Sequence, residues 1–249
     1  MSLLNNKYFN GVSIVFLALL FNYGCAQTSK VISLNDTLSV KSTLLYQDDF
    51  NDDLSSWKVE QMQGGISEIR NNKLEIDDVS GCTIWFKKEL SGPIMIEYDT
   101  YIISDGGEND RVSDMNCFWM ATDVEHPIDL FKNSKGRHGK FTNYDGLRLY
   151  YMGVGGHDNS KTRFRRYVGN GERPLLKEHD FTKSEFLLEP NTTYHIRIIA
   201  FENVVQYYRN GVKMIDFYDA DPYTKGHFGF RTVKNHMTID NFKVYRLKQ

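Results

Sequence analysis

From Leu44 onward the chain is a run of short alternating segments cut by turn residues, and this pattern limits what it can become. LLYQDDF, GISEIR, KLEID, TIWFKKEL, IMIEYDTYII and MNCFWMAT are of strand length and rich in β-branched and aromatic residues. So are LRLYYMGV, TRFRRYV, YHIRIIAFE, VVQYYRNGVKMIDF, HFGFRT and MTIDNFKVYRL. Apolar side chains at every second position fit a half-buried strand rather than a helix. RNNK, SGP, SDGG, GGHDNS, GNGERP, EPNTT and RNG lie between these segments and supply the residues that turns require. In QYYRNGVKMI the Asn-Gly pair marks the tip of a hairpin. DVEHPIDLFKN offers a turn of helix inside a long connection. Many strands with few helices predict an all-β, antiparallel β-sandwich. No repeat of fixed period appears, which excludes a propeller or solenoid.

The N-terminus has a different character. Its first 26 residues carry one charge, Lys7, ahead of GVSIVFLALLF. That apolar run has the length of a signal-peptide core and is short for a bilayer span. NYGCAQ then permits two cleavages. Cleavage before Cys25, with Gly24 as the small residue, leaves a cysteine for lipidation. Cleavage after Ala26, with Gly24 and Ala26 as the small pair, releases a soluble protein. Asn22 and Tyr23 depart from a strict lipoprotein box. The reading carried forward is a lipoprotein-type signal over 1–25, lipidation at Cys25, a flexible polar tether over 26–43 and one domain over 44–249. The protein is then exported and anchored by lipid to the outer membrane or cell surface, and otherwise periplasmic or secreted. Contact with the membrane is through the anchor alone.

Formal net charge is −2, and removing Lys7 with the leader leaves about −3. A nucleic-acid binder would show a basic balance, so nucleic acid is not expected as a partner. Cys82 and Cys117 sit in apolar GCTIWF and MNCFWM and read as buried free thiols, although export permits a bridge. No CxxC or His/Cys spacing supports zinc. DDFNDD at 48–53 has the hard oxygens of a structural calcium site, or else aspartates that form turns and caps. No other cofactor is implied.

The stretch 146–167, GLRLYYMGVGGHDNSKTRFRRY, reads as a hairpin loaded with arginine and tyrosine. Alternation puts Arg148, Tyr150 and Met152 on one face of its first strand, with Leu147, Leu149 and Tyr151 on the other. In the second strand Arg163, Arg165 and Tyr167 oppose Thr162, Phe164 and Arg166. The expectation is that Arg148, Arg163 and Arg165 project together beside Tyr150 while the aliphatic faces enter the core. Such a surface suits an acidic sugar, because arginine pairs bidentately with carboxylate. A solvated outer face is the plainer alternative.

LLYQDDFND, the central NCFWMATD and the terminal GHFGFRTVKNHMTIDNFKVYRL resemble the concanavalin-A-like lectin/glucanase superfamily over about residues 44–248. More narrowly, they resemble an uncharacterised secreted family from carbohydrate-degradation loci of Bacteroidetes. The resemblance implies a jelly roll of two curved sheets with a concave groove for a polysaccharide. That fold hosts binding modules, hydrolases and lyases alike. Hydrolysis by two carboxylates needs a facing pair. The E-x-D-x-x-E string of glucanases with this fold is missing, and Glu97 with Asp99 in EYDTY is a same-face pair that an edge position also explains.

Elimination at a uronate needs a cation for the carboxylate, a base for the C5 proton and an acid for the leaving oxygen. The candidate catalytic residues are Tyr150, His157, Arg165 and His236. The candidate substrate-binding residues are Asn116, Trp119, Arg148, Arg163, Tyr167 and Arg231, with Arg111 near them in sequence to Asn116. The Q-I-H and Y-x-K-x-G-x-Y-x-Q signatures of jelly-roll alginate lyases are absent. So are a G-x-S-x-G elbow, a P-loop and H-E-x-x-H. The sequence is read as a polysaccharide lyase acting on an acidic, uronate-containing polysaccharide or oligosaccharide. A non-catalytic carbohydrate-binding protein and a glycoside hydrolase are the alternatives.

Overall fold

Alternating strands bury one face each, and the chain satisfies them by facing two antiparallel sheets toward each other. The computed structural model describes Ser29–Gln249. Its strands begin with β1 Lys30–Ser33, β2 Ser39–Asp48, β3 Trp57–Gln61, β4 Ile66–Arg70, β5 Lys73–Asp78 and β6 Cys82–Phe86. There follow β7 Leu90–Ser91, β8 Ile94–Ile102, β9 Met115–Asp123, β10 Leu147–Gly155, β11 Lys161–Val168 and β12 Asp180–Phe181. The last are β13 Thr193–Phe201, β14 Val204–Arg209, β15 Val212–Tyr218, β16 Lys225–Thr232 and β17 Asn235–Lys248. The first sheet runs β1-β2-β17-β8-β13-β14-β15, with β5 against β17 and β4 against β5. The second runs β12-β11-β10-β9-β16-β6-β3, with β7 against β16. The result is the jelly-roll sandwich that the sequence predicted.

Between the sheets lies an aromatic core in which Trp57 stacks on Phe230 at 5.1 Å and meets Phe242 edge-on at 4.9 Å. Each such side chain contributes about 1.5–3 kcal/mol by leaving water. Cys82 and Cys117 are free and buried in this core. Burial pushes both thiols up to about 12, so they stay protonated and unreactive.

A second core sits on the outer face of the second sheet. Trp85, Phe118, Leu149, Tyr151 and Tyr167 face it. It is capped by a connection with single turns at Leu130–Asn133, Ser134–Arg137 and Phe141–Tyr144. Asp129 starts the first turn by accepting a hydrogen bond from the Phe131 amide at 2.9 Å. Arg137, 1% exposed, donates to both oxygens of Glu60 at 2.7 and 3.1 Å, and Glu60 is itself 2% exposed. The Tyr144 hydroxyl donates to the same carboxylate at 2.7 Å. A desolvated pair, with Arg137 Nη1 3.6 Å from a second buried carboxylate, Asp123, pins the connection to β3.

Two local features differ from the sequence reading. The 26–43 stretch is not a tether over its described part: β1 pairs with β2 from Lys30↔Ser42 to Ser33↔Ser39. Leu34 and Val40 are buried against Met95, Ile199 and Phe201, and Asn35 closes the turn by accepting from Thr37 and Leu38 amides at 2.9 Å each. The second feature is a bulge in β9, where Met120 takes a left-handed φ of 52°. It turns both Trp119 and Met120 into the inter-sheet core, while Phe118 and Ala121 face the second core. The 1–25 signal segment and Cys25 lie outside the described residues.

Candidate functional site

The hairpin of β10 and β11 sets the site, and its register decides which side chains meet. Leu149, Tyr151 and Gly153 oppose Tyr167, Arg165 and Arg163, whereas Arg148, Tyr150 and Met152 oppose Val168, Arg166 and Phe164. Residues directly opposite share a face. Arg163 and Arg165 therefore stand beside Tyr151 and Gly153, on the outer face. Next to Gly153 across the sheet comes Asn116 of β9, then Arg231 of β16.

Asn116, Tyr151, Gly153, Arg163, Arg165 and Tyr167 line a cleft of about 460 Å³. Tyr151, Gly153 and Asn116 lie on neighbouring strands at its base, with Arg163, Arg165 and Tyr167 beside them. Arg111 and Asp114 enter from the segment before β9, His157 and Lys161 from the hairpin turn, and Phe141 and Arg173 from the covering connections. Gly153 is required: a Cβ there would collide with the phenol of Tyr151. The Asn116 carbonyl is fixed by the Val154 amide at 3.0 Å.

The turn is conformationally costly. His157, Asp158 and Asn159 have φ of 54°, 54° and 56°, left-handed values at about 1–2 kcal/mol per non-glycine residue. Asn159 holds it by exchanging two hydrogen bonds with Leu188, both 2.8 Å. Arg111 holds it from the other side through Asp158 at 2.8 Å. Strain kept in place by such contacts at a cleft rim is a mark of a built site.

Five cations line the cleft against one carboxylate, Asp114. Arg111 pairs with Asp114 at 3.1 Å, and Arg163 grips both oxygens of Asp180 at 2.9 and 3.2 Å. Arg173 lies 3.6 Å from Asp145. Arg165 donates to the Arg173 carbonyl, and among the described residues no carboxylate stands within ion-pair distance of it. Burial, with Arg163 and Arg173 nearby, holds its guanidinium below its ordinary value. Arg163 also donates to Nε2 of His157 at 2.9 Å. A guanidinium cannot accept, so that nitrogen carries its lone pair. Burial keeps the Tyr151 phenol well above its ordinary value and pushes Tyr167 up to about 12. Both are protonated at neutral pH and able to donate.

Residues 76–242 match the family model described as a domain of unknown function, DUF6250. The chain is a DUF6250 protein. Among solved structures, this DUF6250 chain resembles a protein of unknown function with a galectin-like fold from Bacillus subtilis. The TM-score is 0.66 at 17% identity, over 84% of this chain and 99% of that one. The endo-β-1,3-glucanase from Pyrococcus furiosus superposes with TM-score 0.58 at 11% identity, over 88% and 98% of the two chains. β-Agarase B from Zobellia galactanivorans gives 0.54 at 9%, over 84% and 95%. These likenesses are of fold: the DUF6250 chain shares its jelly-roll sandwich with these proteins. No curated protein matches the sequence.

Of the residues singled out from sequence, the cleft brings together Asn116, His157, Arg163, Arg165 and Tyr167. The expected alliance of Arg148 and Tyr150 with Arg163 and Arg165 is corrected by the register. Arg148 lies across the Tyr223 ring at 4.5 Å, with Arg166 at 4.2 Å. Tyr150 is in the inter-sheet core, its hydroxyl donating to Asp219 at 2.6 Å. Trp119 is core. His236 belongs to the other sheet, between Asp110 at 2.8 Å and Glu75 at 3.1 Å. Arg231 is 0% exposed under the covering connection, donating to Gly139 at 2.6 Å and Thr83 at 3.1 Å. In the acidic 48–53 stretch, Asp48 accepts from the Phe50 amide at 2.9 Å and the Trp57 indole at 2.8 Å. The sequence reading missed Tyr151, Lys161 and Arg173. Tyr151 joins the face of Arg163 and Arg165 only through the hairpin register, which the sequence did not show, and Arg173 lies in an aperiodic loop with no signal.

Proposed function

We propose that this DUF6250 protein acts on a uronate-containing polysaccharide and that the cleft holds a sugar carboxylate. The carrying observation is Arg165, a half-buried cation beside Arg163 and Arg173 that among the described residues has no carboxylate partner. A bound carboxylate supplies the missing anion; Arg165 offers a guanidinium fork, and Arg163, whose Nε and Nη2 hold Asp180, offers Nη1. The fold's other hosts add support, since the structural neighbours include a glucanase and an agarase.

The reaction this set fits best is β-elimination. His157 takes the C5 proton, the C–H electrons form the C4–C5 double bond, and the C4–O bond breaks. Tyr151 gives its proton to the departing oxygen. The arginines stabilise the negative charge that builds on the carboxylate. Binding itself frees the base: a carboxylate that takes the Arg163 donor leaves the His157 lone pair unshared. Hydrolysis by two carboxylates is disfavoured, because Asp114 is the one carboxylate of the lining and is tied to Arg111 and to Ser113 at 2.7 Å.

A binding role without chemistry is the second reading. It is favoured by the His157 contact with Arg163, which occupies the candidate base. Incubation with a panel of uronate polysaccharides separates the two, since elimination raises absorbance near ~235 nm through the new conjugated double bond. Binding with no rise in absorbance supports the second reading, and neither binding nor absorbance rejects both.

For localisation we propose export with lipidation at Cys25, supported by Lys7, the apolar run and Gly24. Among the described residues no helix is long and apolar enough to cross a membrane. Cys25→Ser is expected to move the protein from the membrane fraction to the soluble one. A mature N-terminus at Gln27 would contradict lipidation.

A further inference from the structure

We infer that the cleft takes the end of an acidic glycan chain, or a short acidic oligosaccharide, and not the interior of a long polymer. This rests on the carboxylate reading above. A polymer bound through its interior must leave a site at two places, so the site has to be open at both ends. Among the described residues, the cleft opens on the outer face of the second sheet over part of β9, β10 and β11.

Toward β16 the route is filled. Arg231 lies beneath the Gly139 carbonyl, and Phe118 is covered by the Tyr144 ring at 5.6 Å. Along β10 and β11, Leu149 and Tyr167 are both 0% exposed, and Phe141 and Arg173 stand over that end, 5.6 Å from guanidinium carbon to ring centre. At the opposite end stands the strained turn with His157. Beside it is Arg111, tied to Asp158 at 2.8 Å and to the Val233 carbonyl at 2.8 Å. A volume of about 460 Å³ falls within the range of about 300–1,000 Å³ that suits a small molecule.

The wall on the β16 side is not a lid. A Cβ on Gly139 would collide with the backbone of Gly81, Met62 and Glu60, so the connection packs backbone against backbone. Arg137 with Glu60, and Arg231 with Gly139, fasten it from beneath. Segments that open have few buried contacts, and this one has a fully buried ion pair. The cations also converge on one place instead of forming a ladder along a groove, which fits one terminal uronate.

The test uses the wild-type chain and size-fractionated oligomers of galacturonate and of alginate, from disaccharide upward. Calorimetric titration reads stoichiometry against length. A chain-end site binds one protein per chain at every length, with affinity level beyond the first few sugars. If the protein is a lyase, viscosity of the polymer falls slowly while double bonds accumulate. Proteins bound per chain rising in proportion to length, or viscosity collapsing with the first bonds broken, would overturn the inference while leaving the carboxylate reading intact. Failure to bind or cleave any of these oligomers would overturn both.

Discussion

Arg165 is a half-buried cation of the cleft that, among the described residues, has no carboxylate within ion-pair distance. A charge-assisted hydrogen bond to a bound carboxylate contributes about 1.5–3 kcal/mol. At about 1.4 kcal/mol per tenfold, Arg165→Ala should weaken binding of an acidic glycan by roughly one to two orders of magnitude. Thermal stability should hold or rise, because the substitution removes a half-buried charge that, among the described residues, has no carboxylate partner. A marked fall in melting temperature would instead make Arg165 structural. Gly153→Ala is a second test at this scale. The added methyl displaces the Tyr151 phenol, so turnover should drop while Arg165-dependent binding survives. Residue identity was legible where alternation alone decides a face, as for Arg163, Arg165 and Tyr167. It was not legible for Arg148 and Tyr150, because which faces of two strands coincide depends on hairpin register. Here the register pairs even with even positions, as in Tyr150↔Arg166.

At the scale of elements, the covering connection is the part that gives the face its shape. Its hold on β3 is the Glu60–Arg137 pair, both buried. Glu60→Gln leaves the buried guanidinium with Asp123 at 3.6 Å as its remaining carboxylate, and breaking a buried pair costs about 3–5 kcal/mol. Denaturant unfolding should register that loss, and an unmoved midpoint would show that the connection is held by other means. The sequence showed this element only as a possible turn of helix, since its fit depends on Glu60, which lies 77 residues away. The β1–β2 hairpin was hidden differently. Its apolar alternation, Ile32, Leu34, Leu38 and Val40, is short and embedded in polar residues. β17 carries a pH-dependent contact. Burial works to lower the His236 imidazole, but hydrogen bonds to Asp110 and Glu75 outweigh it and raise it. Its stabilisation is therefore full below about 6.5 and is lost as pH rises through the higher folded value. Melting temperature should carry a component that declines across that window, and His236→Gln should remove that component.

For the whole molecule, charge balance and site charge point in opposite directions. A chain of formal net charge −2 gathers five cations around one carboxylate in its cleft. Bulk composition carries no sign of this local field, which arises only when β9, β10, β11 and the 173 loop meet. The antiparallel sandwich was readable, because strand alternation and turn residues repeat along the chain and each repetition constrains the same answer; its jelly-roll arrangement was implied by the resemblance. The most direct test of the account compares an acidic polysaccharide with its carboxyl-reduced counterpart, identical in linkage but neutral at C6. The cleft predicts saturable binding to the acidic form and loss of that binding on reduction. Equal binding to the two forms would contradict a carboxylate held by Arg163 and Arg165.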